Sequence, residues 1–251
     1  MPTSDRTDAP TPPGRGGASP AGPGRRWSGV AGLAATAAVI AALILGAGVL
    51  LHGQTYQAPS GTQVARRLGA VTVDGMTLPH VLLHLATYPD ASGTVNGTPI
   101  HPGGNPSWPA YGPTDDFEVP AHALVTVDIK QYDGGGTITN PWFATVRGTV
   151  GGVMTVDGRS VRSINPNQVA HTFTLRGLPG GEQGFFLNVP LPDVATGYAD
   201  SGKYRSVVFS FVSGATGLYV WNCEFPCGSM VTGFGGAMGA LGYMSGFVRV
   251  V

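Results

Sequence analysis

From Phe117 onward the chain alternates apolar and polar residues in short runs, and each run ends in glycine, proline or an Asp-Gly pair. A period of two places every second side chain on one face, the pattern of a half-buried strand. Val125, Val127 and Ile129 alternate with Thr126, Asp128 and Lys130. Val207, Phe209 and Phe211 form a second apolar row, and Tyr219, Trp221 and Cys223 a third. Val169, His171, Phe173 and Leu175 are expected on one face of a further strand. Asp157-Gly158 between two apolar runs predicts a tight hairpin turn, and residues 247–251 close the chain as a last strand. Gly and Pro together supply 61 of 251 residues while charged residues make up only 11%. That balance excludes a helical bundle, which needs charged faces and few breakers. Seven or more short strands predict an all-β fold, an antiparallel β-sandwich over residues 117–251. A net charge of zero leaves no basic footprint, so no nucleic-acid partner is expected.

The chain before the sandwich reads differently. Residues 1–28 are rich in Pro, Gly, Ser and Thr and are expected to form a disordered cytoplasmic tail, because they bury too little surface to offset their ordering entropy. Val30 to Leu51 carries no charge, and about 20 apolar residues span the hydrocarbon core of a bilayer. Arg25 and Arg26 stand just before this run, so the positive-inside rule places the tail in the cytoplasm. One transmembrane helix over 29–52 is the expectation, making the protein a single-pass protein of the cell membrane with its C-terminal domain extracytoplasmic. A cleaved signal peptide would have a shorter apolar run and a small-residue cleavage site. A soluble core helix would show a polar stripe. Arg25-Arg26 also fits part of a twin-arginine export signal, though the flanking residues match it poorly. Residues 53–116 read as a tether, a hairpin about Asp74-Gly75 that carries His80 and His84, and a long irregular loop. His52, His80, His84 and His101 are expected at the surface or in the hairpin.

The chain has two cysteines, in Cys223-Glu224-Phe225-Pro226-Cys227-Gly228 at the end of a strand. His171 lies on an earlier strand, and a glycine-laden loop bearing Met238 and Met244 follows. Thiolates, a thioether and one imidazole are the donors that copper prefers. Simpler readings stand beside this one. In an oxidising compartment the two cysteines can form a disulfide across three intervening residues, closing a small loop with modest stabilisation. A redox-active thiol pair would usually sit at a helix N-terminus, which the sequence does not predict here. His171 alone would be a satisfied half-buried histidine, and the two methionines would fill core or loop space.

One histidine from a mid-chain strand followed by a Cys loop and Met resembles the cupredoxin superfamily, specifically the dinuclear-copper (CuA) domain of cytochrome c oxidase subunit II. The resemblance covers about 117–251. It rests on Glu118-Val119-Pro120, Val169-Ala170-His171-Thr172-Phe173, Gly217-Leu218-Tyr219 and Cys223-x-x-x-Cys227-Gly228. It implies an antiparallel cupredoxin-like β-sandwich preceded by one transmembrane helix, with copper as cofactor. His171 matches the family's first histidine ligand, and Cys223 and Cys227 its bridging cysteines. Glu224, one place out of register, approximates the acidic residue whose carbonyl ligates copper. The family's second histidine is replaced by Val231 and its methionine by Phe234. A mononuclear or weaker site is therefore expected, with Met238 or Met244 as the weak ligand and His122 as the nearest remote histidine. The implied function is electron transfer or copper handling by a membrane-anchored extracytoplasmic protein. Its implied partner is a redox protein or a haem-bearing oxidase subunit, and the domain itself relays and need not catalyse. The competing class is a metal-free structural or interaction sandwich with a Cys223–Cys227 disulfide. An enzyme reducing a copper-borne substrate has no dedicated residues in its favour.

Overall fold

The computed structural model describes residues 37–44 and 61–251, apart from 96, 135–139, 179–183, 196 and 229–234. The chain divides into two compact units, Met1–Gly48 and Val49–Val251. In the first, residues 37–44 form a helix with exposed side chains. Among the described residues no helix is long and apolar enough to cross a membrane. The rest of the uncharged run, and the tail before it, lie outside the described residues.

The second unit holds the strands β1 (Gln63–Val64), β2 (Arg66–Val73), β3 (Met76–Tyr88), β4 (Thr94–Val95), β5 (Thr98–Pro99), β6 (Ala110–Gly112), β7 (Phe117–Val119) and β8 (Leu124–Gln131). It continues with β9 (Met154–Val156), β10 (Arg159–Val161), β11 (Val169–Gly177), β12 (Phe186–Pro192), β13 (Arg205–Val212), β14 (Gly217–Asn222) and β15 (Ser245–Val250). One sheet runs β1-β7-β15-β14-β11-β12, and the other runs β10-β9-β13-β8-β3-β2 with β6 beside β3. Their apolar faces share one core. Val125, Val127 and Ile129 are fully buried from the second sheet, as are Val207, Phe209 and Phe211 to within 3%. Phe117, Phe173, Tyr219 and Trp221 meet them from the first sheet. At roughly 1.5–3 kcal/mol per buried large apolar side chain, these rows drive the sandwich together.

The predicted alternation therefore holds in β8, β13 and β14. The two Asp-Gly turns hold as well. Asp74 and Gly75 have φ of 49° and 80°, and Asp157 and Gly158 have 50° and 78°. Both central residues of such a turn must be left-handed to match the twist of the flanking strands, which Asp and Gly tolerate best.

Three expectations need correction. The sandwich is mixed rather than antiparallel: β3 pairs with β8 in parallel, as do β7 with β15 and β1 with β7. The hairpin before Phe117 is no appendage, because β3 lies between β8 and β2 and buries Val81, Leu83 and Leu85 to within 3%. His101, expected at the surface, is only 6% exposed and stacks on Tyr243 with centroids 4.6 Å apart. The Pro- and Gly-rich segment expected to form a long irregular loop buries Ala91, His101 and Trp108.

Candidate metal centre

β11 carries a bulge between Val169 and His171, where Ala170 has no partner across the ladder. The extra residue splits the row predicted for one face. Val169 joins a small cluster with Ala144, whereas Phe173 and Leu175 enter the main core. Bulges re-aim side chains in this way and recur beside functional sites. His171, 3% exposed, faces the two cysteines.

Cys223 follows the last residue of β14, and its N–H donates to the Met244 carbonyl at 2.8 Å. The Cys227 carbonyl accepts from the Ala237 N–H at 2.9 Å, and the Gly228 carbonyl from the Gly236 N–H at 3.3 Å. These bonds fix both cysteine backbones to the returning chain. Gly228 is left-handed with φ of 74°, and a Cβ there would come within 2.8 Å of the Ala237 Cβ and 3.2 Å of Trp108. Only glycine lets the loop turn so tightly behind Cys227.

The sulfurs and the ring converge. His171 Nδ1 is 3.1 Å from Cys227 Sγ and 3.8 Å from Cys223 Sγ, and the two sulfurs are 3.4 Å apart. Both cysteines are free and buried. Cys223 Sγ also accepts from the Thr172 N–H at 3.4 Å and the Phe225 N–H at 3.3 Å. Nε2 of His171, on the far side of the ring, meets Asp133 Oδ2 at 2.7 Å. A cleft of about 420 Å³, lined by Pro109, Asp133, Asp193 and Pro226 among others, opens onto His171 and Cys227.

The electrostatics separate the two thiols. Burial pushes the Cys223 thiol up, but hydrogen bonds from Cys227 and His171 outweigh it and hold Cys223 well below the usual thiol range. Cys227 is pushed the other way, first by donating to Cys223 and then by burial. The two thiols are thus pushed in opposite directions, Cys223 toward the thiolate and Cys227 toward the protonated thiol. For His171, burial lowers its basicity, while bonds to Asp133 and to Cys223 more than offset it and push the ring up to about 9.

Thus His171, Cys223 and Cys227 come together, with their donor atoms all within 4.8 Å of one another. Two sulfurs and one imidazole nitrogen, buried and mutually facing, make a donor set suited to a soft metal ion. Met244 is fully buried in the core on the same loop, and Met238 packs against that core. His122 does not belong to the site. It is exposed in the turn before β8, whereas Asp133 follows that strand, and eight strand residues separate the two ends by roughly 25 Å. Val231 and Phe234 lie outside the described residues. Sequence reasoning missed Asp133 and Thr172. Asp133 stands between an alternating strand and three consecutive glycines, a setting that reads as a turn.

No protein-family model matches the chain, and no curated protein sequence does either. Among solved structures, auracyanin B matches at 14% identity and a TM-score of 0.32, over 74% of this chain and 97% of its own. Rusticyanin from Thiobacillus ferrooxidans matches at 14% identity and a TM-score of 0.33, over 74% of this chain and 88% of its own. At these scores the site's reading rests on its own geometry, a two-sheet sandwich that gathers one histidine and two cysteines at one buried point.

Proposed function

We propose that this chain is a cupredoxin-like copper-binding protein that works in electron transfer or copper handling. The observation that carries the reading is the convergence of His171 Nδ1 with Cys223 Sγ and Cys227 Sγ in a buried pocket. Thiolate and thioether sulfur suit soft ions, copper and zinc among them, and the imidazole beside them supports both oxidation states of copper. Copper would supply one-electron chemistry. The protein's own part is to hold the donors in place before the ion arrives. The backbone clamps on Cys223 and Cys227 do this for the sulfurs, and the bulge in β11 does it for the ring. The N–H groups of Thr172 and Phe225 direct positive charge at Cys223, which favours its thiolate. Met238 or Met244 is proposed as a weak further ligand, supported by thioether softness and by their place on the loop that clamps the cysteines.

The cytochrome c oxidase subunit II resemblance and the membrane anchor belong to the same proposal. The first is supported by the Cys-x-x-x-Cys-Gly and Val-Ala-His motifs, the second by the uncharged Val30 to Leu51 run after Arg25 and Arg26. The corresponding partner is a redox protein or a haem-bearing oxidase subunit at the outer membrane face.

The test is copper titration of the reduced chain, followed by the same titration of Cys223→Ser and His171→Ala. Stoichiometric uptake with thiolate-to-copper absorption in the wild type, lost in both variants, supports the site. A wild type that takes up zinc but no copper, or whose freshly isolated cysteines are bonded to each other, overturns it.

A further inference from the structure

We propose that Asp133 is a positioning residue of this centre: its carboxylate holds Nε2 of His171, so that Nδ1 is presented to the two sulfurs and the ring gains anionic character. The inference rests on the copper reading above. It goes beyond that reading by naming a fourth residue, contributed by the opposite sheet.

The geometry makes the case. Asp133 Oδ2 lies 2.7 Å from His171 Nε2, the length of a charge-assisted bond. The two ring nitrogens face opposite ways, so fixing one aims the other. A histidine ligand backed by a carboxylate keeps one tautomer and becomes a stronger donor. His171 belongs to β11 in one sheet, while Asp133 follows β8 in the other. The bond therefore closes the site end of the sandwich across both layers.

Asp133 is itself held. Its backbone carbonyl accepts from Gln131 Nε2 at 2.9 Å, and the same nitrogen donates to the Pro192 carbonyl at 3.2 Å. The Gln131 side-chain oxygen accepts from the Thr87 hydroxyl. Gln131 and Thr87 are fully buried. A buried glutamine with every polar atom partnered is rigid, and an alternative arrangement would leave those atoms unsatisfied. Thr87, on β3, thus joins Gln131, Asp133 and His171 in one connected chain. Asp133 is 13% exposed at the cleft wall, so it is neither a solvated surface charge nor a sealed ion pair.

A purely structural ion pair would tie the sheets without touching the metal. Two variants separate the roles. Asp133→Asn keeps an oxygen that accepts from Nε2–H but removes the charge, and Asp133→Ala removes both. Each is compared with wild type as the full, reduced chain for copper affinity, thiolate-to-copper absorption and reduction potential. Asp133→Ala is expected to bind copper roughly 10–100-fold more weakly with a shifted absorption band. Asp133→Asn is expected to bind within a few-fold of wild type yet show a higher potential, because a nearby negative charge stabilises the oxidised ion. If Asp133→Ala fails to fold, the potential of Asp133→Asn decides. Wild-type affinity, absorption and potential in Asp133→Asn, with no more than a few-fold loss in any folded Asp133→Ala, would overturn the role of Asp133 alone. Absence of copper uptake by the wild type would overturn the copper reading, and Asp133's role with it.

Discussion

Replacing Trp221 by phenylalanine probes how the core supports the candidate metal centre. The indole is fully buried, stacked on Phe173 at 5.1 Å and set edge-on to Tyr111 at 4.6 Å. Its N–H donates to the Asp115 backbone carbonyl at 2.6 Å. Phenylalanine keeps much of the stacking surface but leaves that carbonyl without its donor, at a cost of about 1–3 kcal/mol. The smaller ring also opens a void of roughly 40 Å³, which costs about 1 kcal/mol at about 24 cal/mol per Å³. The expected loss is roughly 2–4 kcal/mol. For a unit of this size that lowers Tm by about 5–15 °C. Urea unfolding followed by far-UV circular dichroism measures the loss, since the substitution alters tryptophan fluorescence directly. Trp221 sits two residues before Cys223 in the chain, so copper affinity should fall with stability. A cost below about 1 kcal/mol with an unchanged m-value would show that the Asp115 carbonyl does not depend on the indole, and the reasoning would fail.

Two further outcomes are expected. The Asp115 carboxyl, 2% exposed, is pushed up to about 6 by burial and by neighbouring Asp116. Its unfolded value is about 3.9, so the folded state binds the extra proton between these values. Asp115 therefore stabilises fully below about pH 4, and this contribution, roughly 3 kcal/mol, is lost as pH rises through about 6. Asp115→Asn should flatten that part of a plot of urea midpoint against pH; an unaltered profile would refute the assignment. For the anchor, a reporter enzyme active only outside the cytoplasm, fused after Val251, should be active and sediment with membranes. A soluble or inactive fusion, at normal expression, would exclude the proposed topology.

Much of the sandwich was legible because its strands obey a local rule. Val125, Val127 and Ile129, or Val207, Phe209 and Phe211, show the buried face without reference to any other part of the chain. The parallel pairing of β3 with β8 was not legible. It joins segments some forty residues apart, and nothing in a local pattern specifies which strands become neighbours. The same limit hid the true extent of the domain, since a hairpin read alone does not reveal that its second arm lies inside a sheet. At the site, Cys223 and Cys227 stood out as the two cysteines of the chain, and His171, one of six histidines, stood out through its strand and its pairing with the cysteine loop. Asp133 did not, because an aspartate before glycines is a turn signal, and only the meeting of the two sheets sets it against the ring. His101 was misplaced for a related reason: loop composition predicts solvent, but stacking on Tyr243 buries the ring.

The hydrogen bond from the Gly236 N–H to the Gly228 carbonyl bears on how this protein can change over evolutionary time. Chain leaves the cysteine loop and returns to it at nearly one point, already fastened on both sides. Because Gly228 and Gly236 are already fastened to each other, a longer connection between them adds little closure cost, about 0.6 kcal/mol for each doubling of length. Insertions, deletions and exchanges there can occur while β14, β15 and the cysteine backbones keep their register. Selection can thus alter the surroundings of the candidate centre separately from the architecture that carries it. A lineage can change the side chains there and still inherit the same sandwich, with His171, Cys223 and Cys227 held together at its end.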